Sequence, residues 1–529
     1  MNLRYIIFCL LVCLRCAAQD STGIYINQVL RGEGRSLAIN RLVALRQPVT
    51  FPLLEAISNS SLYTWKDKAV TLGGKDMVYE VYPNSDGQPL TVSTSELSPV
   101  EIGRPDRLLL SPISAWLNIF NPDVQKRMLA YGQLPDIANA ADLAILAQAL
   151  QTETNVETRR AGKESYYSMQ LNRTADDKIA RAYIDSLYVN EGDNATRILR
   201  TYAKRNDRPE AISSYALKKA KSMDDHYSTL QRIQNLFSGI SLGSILILIS
   251  LGLSIVYGLA GIINMAHGEF LMIGAYTTYC VEGLFTNTFH VQNGNLFFLT
   301  ALPVSFVVAG VAGLLLERLV IRRLYAKPLE SLLATWGISL ILIQLARTIF
   351  GDLTAVKLPP MLSGGWSIAP HLVLPYSRLF IIGLTIVTVC LLYACLFKTR
   401  LGVQIRAVTQ NRSMSACLGI NTRRVDAVTF FIGSGLAGLA GCAMTLIGNV
   451  VPDMGQTYIV DSFLVVVSGG VGKLMGTILA GLGIGIISKV LEAFFEAVYG
   501  KVLILLLMMI FLQFKPRGLF PDKGRIAED

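Results

Sequence analysis

Two regimes of patterning meet near Leu236. Before it, apolar residues recur at helical or strand spacing among charged ones. After it, long apolar runs follow one another with short polar connections. In the first regime, residues 28–60 read as short helices, with Leu37, Leu42 and Leu45 on one helical period and Pro48 and Pro52 breaking the run. Residues 62–103 change to strand character: Leu62–Trp65 and Met77–Tyr82 read as strands, and Gly73-Gly74 and 84–87 as turns. Helices resume near Ala115 and run to about Asp225. Their apolar stripes are Ile137, Leu143, Leu146 and Leu150, then Ile179, Tyr183, Leu187, Ile198, Leu199 and Tyr202, with no clear fixed repeat. In the second regime, nine apolar runs lie near 236–258, 263–285, 296–316, 329–350, 378–397, 426–447, 458–470, 476–495 and 500–514. Several are shorter than the ~20 residues a helix needs to cross a bilayer, so broken or re-entrant segments are expected among them.

This pattern predicts an all-α polytopic membrane bundle of about 8–9 spans (236–529), preceded by a mostly helical exported soluble domain with a small β segment (19–235). Residues 1–18 read as a secretory signal. Arg4 supplies the positive start, Tyr5–Leu14 a short apolar core and Cys16-Ala17-Ala18 a small-residue cleavage site. A signal anchor that stays uncut is the alternative, and either form sends the next segment across the membrane. Lys and Arg then orient the spans. Residues 317–327 carry Arg318, Arg322, Arg323 and Lys327. Residues 398–424 carry Lys398, Arg400, Arg406, Arg412, Arg423 and Arg424 with no acid, and the tail carries Lys515, Arg517, Lys523 and Arg525. Residues 282–298 and 448–461 carry none, and 351–377 only Lys357. The basic segments therefore belong in the cytoplasm, and an exported N-terminus with a cytoplasmic C-terminus requires an odd number of crossings.

Composition agrees. Of 529 residues, 52% are hydrophobic and 16% charged, against roughly 25% charged in an average soluble chain. The net charge of +10 does not indicate nucleic acid, because the basic residues of the C-terminal half sit in short loops between apolar runs. No cysteine lies in 19–235 and the four histidines are scattered, so neither a disulfide framework, a zinc site nor any other cofactor is expected. Asp176-Asp177 and Asp224-Asp225 fit helix caps and surface charges better than acid/base partners. Small residues at helical spacing (Ala437, Gly441 and Gly448; Gly476, Ala480, Gly481 and Gly485) suit close helix packing in lipid.

Polar groups inside apolar sequence carry the candidate chemistry. Asn264, His267 and Glu269 stand between two apolar runs with no Lys or Arg nearby. A charge at mid-bilayer costs roughly 2.5–3.5 kcal/mol, so such groups either line a polar pathway, with Gly261 and Gly268 permitting a helix break, or form a buried network joining two helices. Asn449, Asp453, Gln456 and Tyr458, with Asp461, suit the mouth of a pathway or a solvated loop, and Gln344, with Arg347, is a weaker pathway candidate. Gly469–Lys473 imitates a phosphate loop, but Val467 stands where the first glycine is needed and Leu474 where Ser or Thr is needed. In the long basic connection, Arg400, Gly402, Arg406, Asn411 and Arg412 lead to a small apolar tip at Ala416–Gly419. Arginines alone fit a loop lying on anionic lipid. The tip fits insertion into a groove on a soluble partner.

The stretch Tyr257–Tyr276 (YGLAGIINMAHGEFLMIGAY) resembles a motif of the branched-chain amino-acid family of ABC importer permeases. Residues 398–425 resemble that family's short ATPase-contacting loop, with Ser415-Ala416 where Glu-Ala-Ala is usual. Residues 466–476 (VVSGGVGKLMG) and 515–520 (KPRGLF) are similar to its late segments. Within the family, 329–351, 407–412 and 447–463, together with a signal peptide and a long exported segment, resemble the urea-importing members. The resemblance implies a permease with no ATP site of its own, a substrate pathway through the polar residues named above and a docking loop at 398–425. It also implies a second permease subunit, two cytoplasmic ATPase subunits and a periplasmic solute-binding protein as partners. Urea is the substrate expected; branched-chain or other amino acids are the alternative. A membrane sensor lacks an output domain after Phe514, and a membrane enzyme lacks a nucleophile–base set. Protease added to right-side-out vesicles should digest 19–235 and spare 398–425; the opposite pattern would overturn the orientation.

Overall fold

The computed structural model describes residues 22–520, apart from 33, 46–49, 67, 75–76, 83–88, 92–95, 111–113, 122, 135–139, 206, 262–263, 289–293, 326, 496 and 517. The expected signal at 1–18, the turn at 84–87, Ile137, Arg517, Lys523 and Arg525 lie outside the described residues. The chain forms two compact units divided between His226 and Tyr227.

The first unit opens with helix α1 (22–31) and continues through α2 (Arg35–Leu45) and α3 (Phe51–Ser58). Pro52 does not break a run. It stands in the first turn of α3, where its missing N–H is harmless. Ala38, Ile39 and Leu42 face the core, whereas Leu37 is 65% exposed, so the inward face of α2 lies one residue beyond the one the leucines suggest. Strands β1 (Leu62–Trp65), β2 (Lys68–Gly74), β3 (Met77–Tyr82), β4 (Pro89–Thr91) and β5 (Ser98–Pro99) make an antiparallel sheet in the order β4-β3-β2-β1-β5. Helices α4 (Arg104–Leu108), α5 (Ser114–Asn118), α6 (Val124–Gln133), α7 (Ala140–Thr152), α8 (Val156–Arg173), α9 (Asp177–Asn190) and α10 (Ala195–Ala203) follow. Trp116, Tyr131 and Leu146 anchor their core. Asp176 caps α9 by accepting from the Lys178 amide at 2.8 Å, as expected of the acidic pair.

Two carboxylates in this unit show how partners set protonation. Glu153, 4% exposed, takes two hydrogen bonds from Arg127 at 2.8 and 3.0 Å, and this pairing holds its carboxyl below the usual range. Glu164 is equally buried but has no such cation. It accepts the Asn194 amide at 2.7 Å, and burial pushes it up to about 7.

The second unit takes over within α11 (Glu210–Ala260) and continues through α12 (His267–Gly283), α13 (Leu296–Leu319) and α14 (Pro328–Phe350). Then come the hairpin β6 (Gly365–Ala369) and β7 (Leu372–Pro375), α15 (Tyr376–Lys398), and the short α16 (Arg400–Gln410) and α17 (Arg412–Cys417). The last elements are α18 (Thr422–Met444), α19 (Met454–Gly469), α20 (Leu474–Phe494) and α21 (Ala497–Phe514). Each predicted apolar run is helical, but only six helices among the described residues are long and apolar enough to cross a membrane. The expectation of about 8–9 spans, some of them broken or re-entrant, thus meets six helices of full length and several shorter ones. At ~1.5 Å per residue, a helix such as α12 (17 residues) or α19 (16 residues) reaches about 25 Å, short of the ~30 Å hydrocarbon core.

Several helix pairs in this unit meet backbone against backbone at glycines. A Cβ on Gly441 would lie 1.9 Å from the Leu271 carbonyl oxygen, and one on Gly274 2.1 Å from that of Gly438, so α12 and α18 touch where no side chain fits. Gly476, Gly481 and Gly485 likewise face Gly469, Ile247 and Gly243. Gly448 is the exception to the sequence reading, since nothing lies within 4 Å of its Cβ position.

The Glu164 environment yields a signed pH dependence. Its folded value of about 7 exceeds the ordinary 4.5, so the folded state holds the proton more tightly. Stability at this site is greatest below pH 4.5 and falls as pH rises through 7. The Glu164→Gln variant should therefore slow amide exchange in α8 and the 191–195 turn at pH 8, by roughly 1–3 kcal/mol of opening free energy, with a much smaller gain at pH 5. Equal effects at both pH values would contradict this.

Candidate functional site

The interruption between α11 and α12 organises the site. Gly261 adopts φ +63°, a left-handed conformation that ends α11 cheaply. The freed backbone is then satisfied locally: the Ala266 amide donates to Asn264 Oδ1 (3.1 Å) and the Met265 amide to Thr335 Oγ1 on α14 (3.2 Å). Gly268 is not part of the break. It sits in the first turn of α12, where a Cβ would fall 2.3 Å from the Gly455 carbonyl oxygen, so the first turns of α12 and α19 meet directly.

The three polar residues of this segment diverge instead of bonding one another. His267 is fully buried and its Nε2 lies 3.2 Å from the Ile249 carbonyl of α11, which makes Nε2 the protonated nitrogen and the ring a strut between α11 and α12. Glu269, also fully buried, accepts from Ser339 Oγ on α14 through Oε1 at 2.8 Å. Its Oε2 and the Asn264 Nδ2 are buried with no hydrogen-bond partner. Oε2 lies within 2.7 Å of the Gly455 Cβ position, so the unpaired oxygen faces the start of α19. His267 Nδ1 is likewise buried without a partner, so the segment presents two buried acceptors and one buried donor.

The other pathway candidates separate. Asn449, Asp453 and Gln456 are exposed around the start of α19, flanking the Gly455 contact, and Tyr458 is half-buried against the core. Gln344 is exposed on α14, as is Arg347, which pairs with Asp352 at 2.9 Å. The inward polar stripe of α14 is Ser331, Thr335 and Ser339, all 2% exposed or less. Their spacing of four residues within an apolar run was the available signal.

In the basic connection, the structure divides the named residues by task. Thr399 Oγ1 caps α16 and Asn411 Oδ1 caps α17, accepting the Gly402 and Met414 amides at 3.2 and 2.9 Å. Gly402 packs against the Leu396 carbonyl with no room for a Cβ, and Arg412 turns inward to Asp426. Arg400, Ala416 and Gly419 are exposed, with Met414 58% and Leu418 75% exposed at the tip. Arg406 is exposed with its guanidinium 4.9 Å from the Phe397 ring, beside a cavity of about 450 Å³ shared with Tyr393, Lys473 and Phe520. Gly470 (φ +100°) and Gly472 (φ +74°) form the turn between α19 and α20 there.

This bundle, with an interrupted helix presenting buried polar groups, has the architecture of a membrane transport protein. Residues 235–512 match the family model described as the permease component of branched-chain amino acid transport systems, and the chain belongs to that family. It is 30% identical over 299 residues to the high-affinity branched-chain amino acid transport system permease protein LivH of Escherichia coli K12, covering 54% of this chain and 94% of that protein. The corresponding protein BraD of Pseudomonas aeruginosa is 31% identical over 293 residues (54% and 95%). LivM of Escherichia coli K12, a permease protein of the same transport system, is 26% identical over 304 residues (53% and 69%). No solved structure matches. The chain is therefore a multi-pass permease of the branched-chain amino acid ABC type, and its relatives are transport components.

If the Glu269–Asn264 pair contacts the solute, Glu269→Ala should lower ATP-driven uptake about tenfold or more, in line with the ~1–3 kcal/mol a buried polar contact is worth. Gln344→Ala should leave uptake unchanged. Wild-type uptake in Glu269→Ala vesicles would remove these residues from the path.

Proposed function

We propose that this chain forms half of the translocation path of an ATP-driven importer, with ATP hydrolysed by partner subunits that dock on 398–425. Membership of the permease family carries this reading. The exposed apolar tip at Met414, Ala416 and Leu418, flanked by Arg400 and Arg406, supports the docking role. The match to both LivH and LivM supports a second, related permease subunit as partner. The basic segments face the cytoplasm and residues 19–235 are exported, where they engage a periplasmic solute-binding protein.

For the cargo, the comparisons favour a branched-chain amino acid, the substrate class in the names of LivH and BraD. Urea is the second reading, and two observations favour it. The residues before 235 fall outside the family match, consistent with the long exported segment of the urea-importing members. The unpaired Glu269 Oε2 and Asn264 Nδ2 offer one acceptor and one donor, which suit the N–H groups and carbonyl of a small neutral amide.

The deciding experiment is uptake by the purified complex in vesicles, with labelled leucine and labelled urea and each as competitor of the other. ATP-dependent leucine uptake resistant to urea supports the first cargo, and the converse the second. A tagged chain that copurifies with no ATPase would overturn the importer reading itself.

A further inference from the structure

The basic loops contain a second constellation that the docking role does not use. Glu317, near the end of α13, and Asp426, in the second turn of α18, are 0% and 1% exposed. Each is held at two points by an arginine from a connecting segment. Arg322 donates through Nε and Nη2 to Glu317 at 3.1 and 3.0 Å, and Arg412 donates to Asp426 from Nη1 at 3.2 Å and also from Nη2. The two pairs share a centre: the Tyr325 ring lies 4.5 Å beneath the Arg412 guanidinium, with its hydroxyl buried beside Asp426. Each buried carboxylate is matched by a guanidinium that is itself 35–40% exposed, so the acid is paired without the cation losing all its water. The neighbouring Arg318, Arg323 and Arg424 point to solvent, so the inward turn of Arg322 and Arg412 is selective.

The position of Arg412 gives the cluster its meaning. It is the first residue of α17, the six-residue helix whose exposed end is the Met414–Leu418 tip. Its partner lies in the second turn of α18, the helix in backbone contact with α12 at Gly274–Gly438 and Leu271–Gly441. The other pair fixes the end of α13, which meets α18 at Gly313 and Ser434. A force applied at the tip thus has a charged joint into α18, and α18 meets the helix bearing Glu269 at backbone distance at Gly438 and Gly441.

We propose that the Arg412–Asp426 pair, braced by Tyr325 and the Arg322–Glu317 pair, is a positioning joint that passes movement of the docking tip to α18 and thence to α12. This rests on the permease reading above and adds a link between the docking segment and the spans, made by residues that do not contact cargo. The joint depends on two-point contact, which a guanidinium makes to a carboxylate and an ammonium does not.

The test uses the full complex in vesicles and reads three quantities: ATPase subunit copurifying, ATP hydrolysed, and cargo taken up per ATP. Asp426→Asn should leave copurification and hydrolysis at wild-type levels and lower uptake per ATP about tenfold, the scale of one charge-assisted contact. The reversed pair Arg412→Asp with Asp426→Arg should recover much of the loss. Should Asp426→Asn fail to accumulate, Arg412→Lys carries the same expectation for uptake per ATP. Unchanged uptake per ATP overturns the joint. So does loss of uptake that merely follows loss of copurifying ATPase, or a reversed pair no better than the single variant. Absence of ATP-driven uptake in the wild-type complex is a different failure, and sinks the importer reading instead.

Discussion

A helix that stops inside hydrocarbon must find partners for the amides and carbonyls it releases, since no water is there to take them. That requirement shapes the second unit. The break at 261–266 survives because Asn264 turns its side-chain oxygen back to the Ala266 amide and α14 supplies Thr335 to the Met265 amide. The same helix supplies Ser339 to Glu269. One stripe of hydroxyls on α14 therefore both repairs the backbone and orients the carboxyl. The neighbouring helices then close in at backbone distance, with Gly268 on Gly455 and Gly274 on Gly438. Side chains at these points would hold the helices apart and expose the groups just satisfied.

Much of this organisation is legible in the order of residues. The change of regime near Leu236, the helical runs and the strands at 62–65 and 77–82 follow from periodicity alone, because burial in lipid and burial in a soluble core impose different patterns. The polar island Asn264–Glu269 stands out for the same reason. What the pattern does not carry is direction. Gln344 and Ser339 look alike as polar residues in an apolar helix, yet one faces out and the other meets Glu269. Leu37 and Leu42 share a spacing but not a side of α2. Nor does composition tell a capping side chain from a docking one: Asn411 and Gly402 lie within a stretch that reads as a contact surface, and both serve the local fold.

The first unit follows soluble rules. Its sheet is short and antiparallel, its helices carry Asx caps, and its buried acids are either matched by a guanidinium, as at Glu153, or left to hold a proton, as at Glu164. Helix α7, though apolar, is 13 residues long and contributes Ile145, Leu146 and Ala149 to a globular core.

The burial of Asp426 also separates two electrostatic regimes within one loop. Arg400 and Arg406 stand in solvent, where mobile ions cut their reach to about 8 Å at physiological strength. Asp426 is 1% exposed and is held at two points by Arg412 in direct contact. Rising salt therefore weakens the field of Arg400 and Arg406 more than the two-point hydrogen-bonded contact between Arg412 and Asp426.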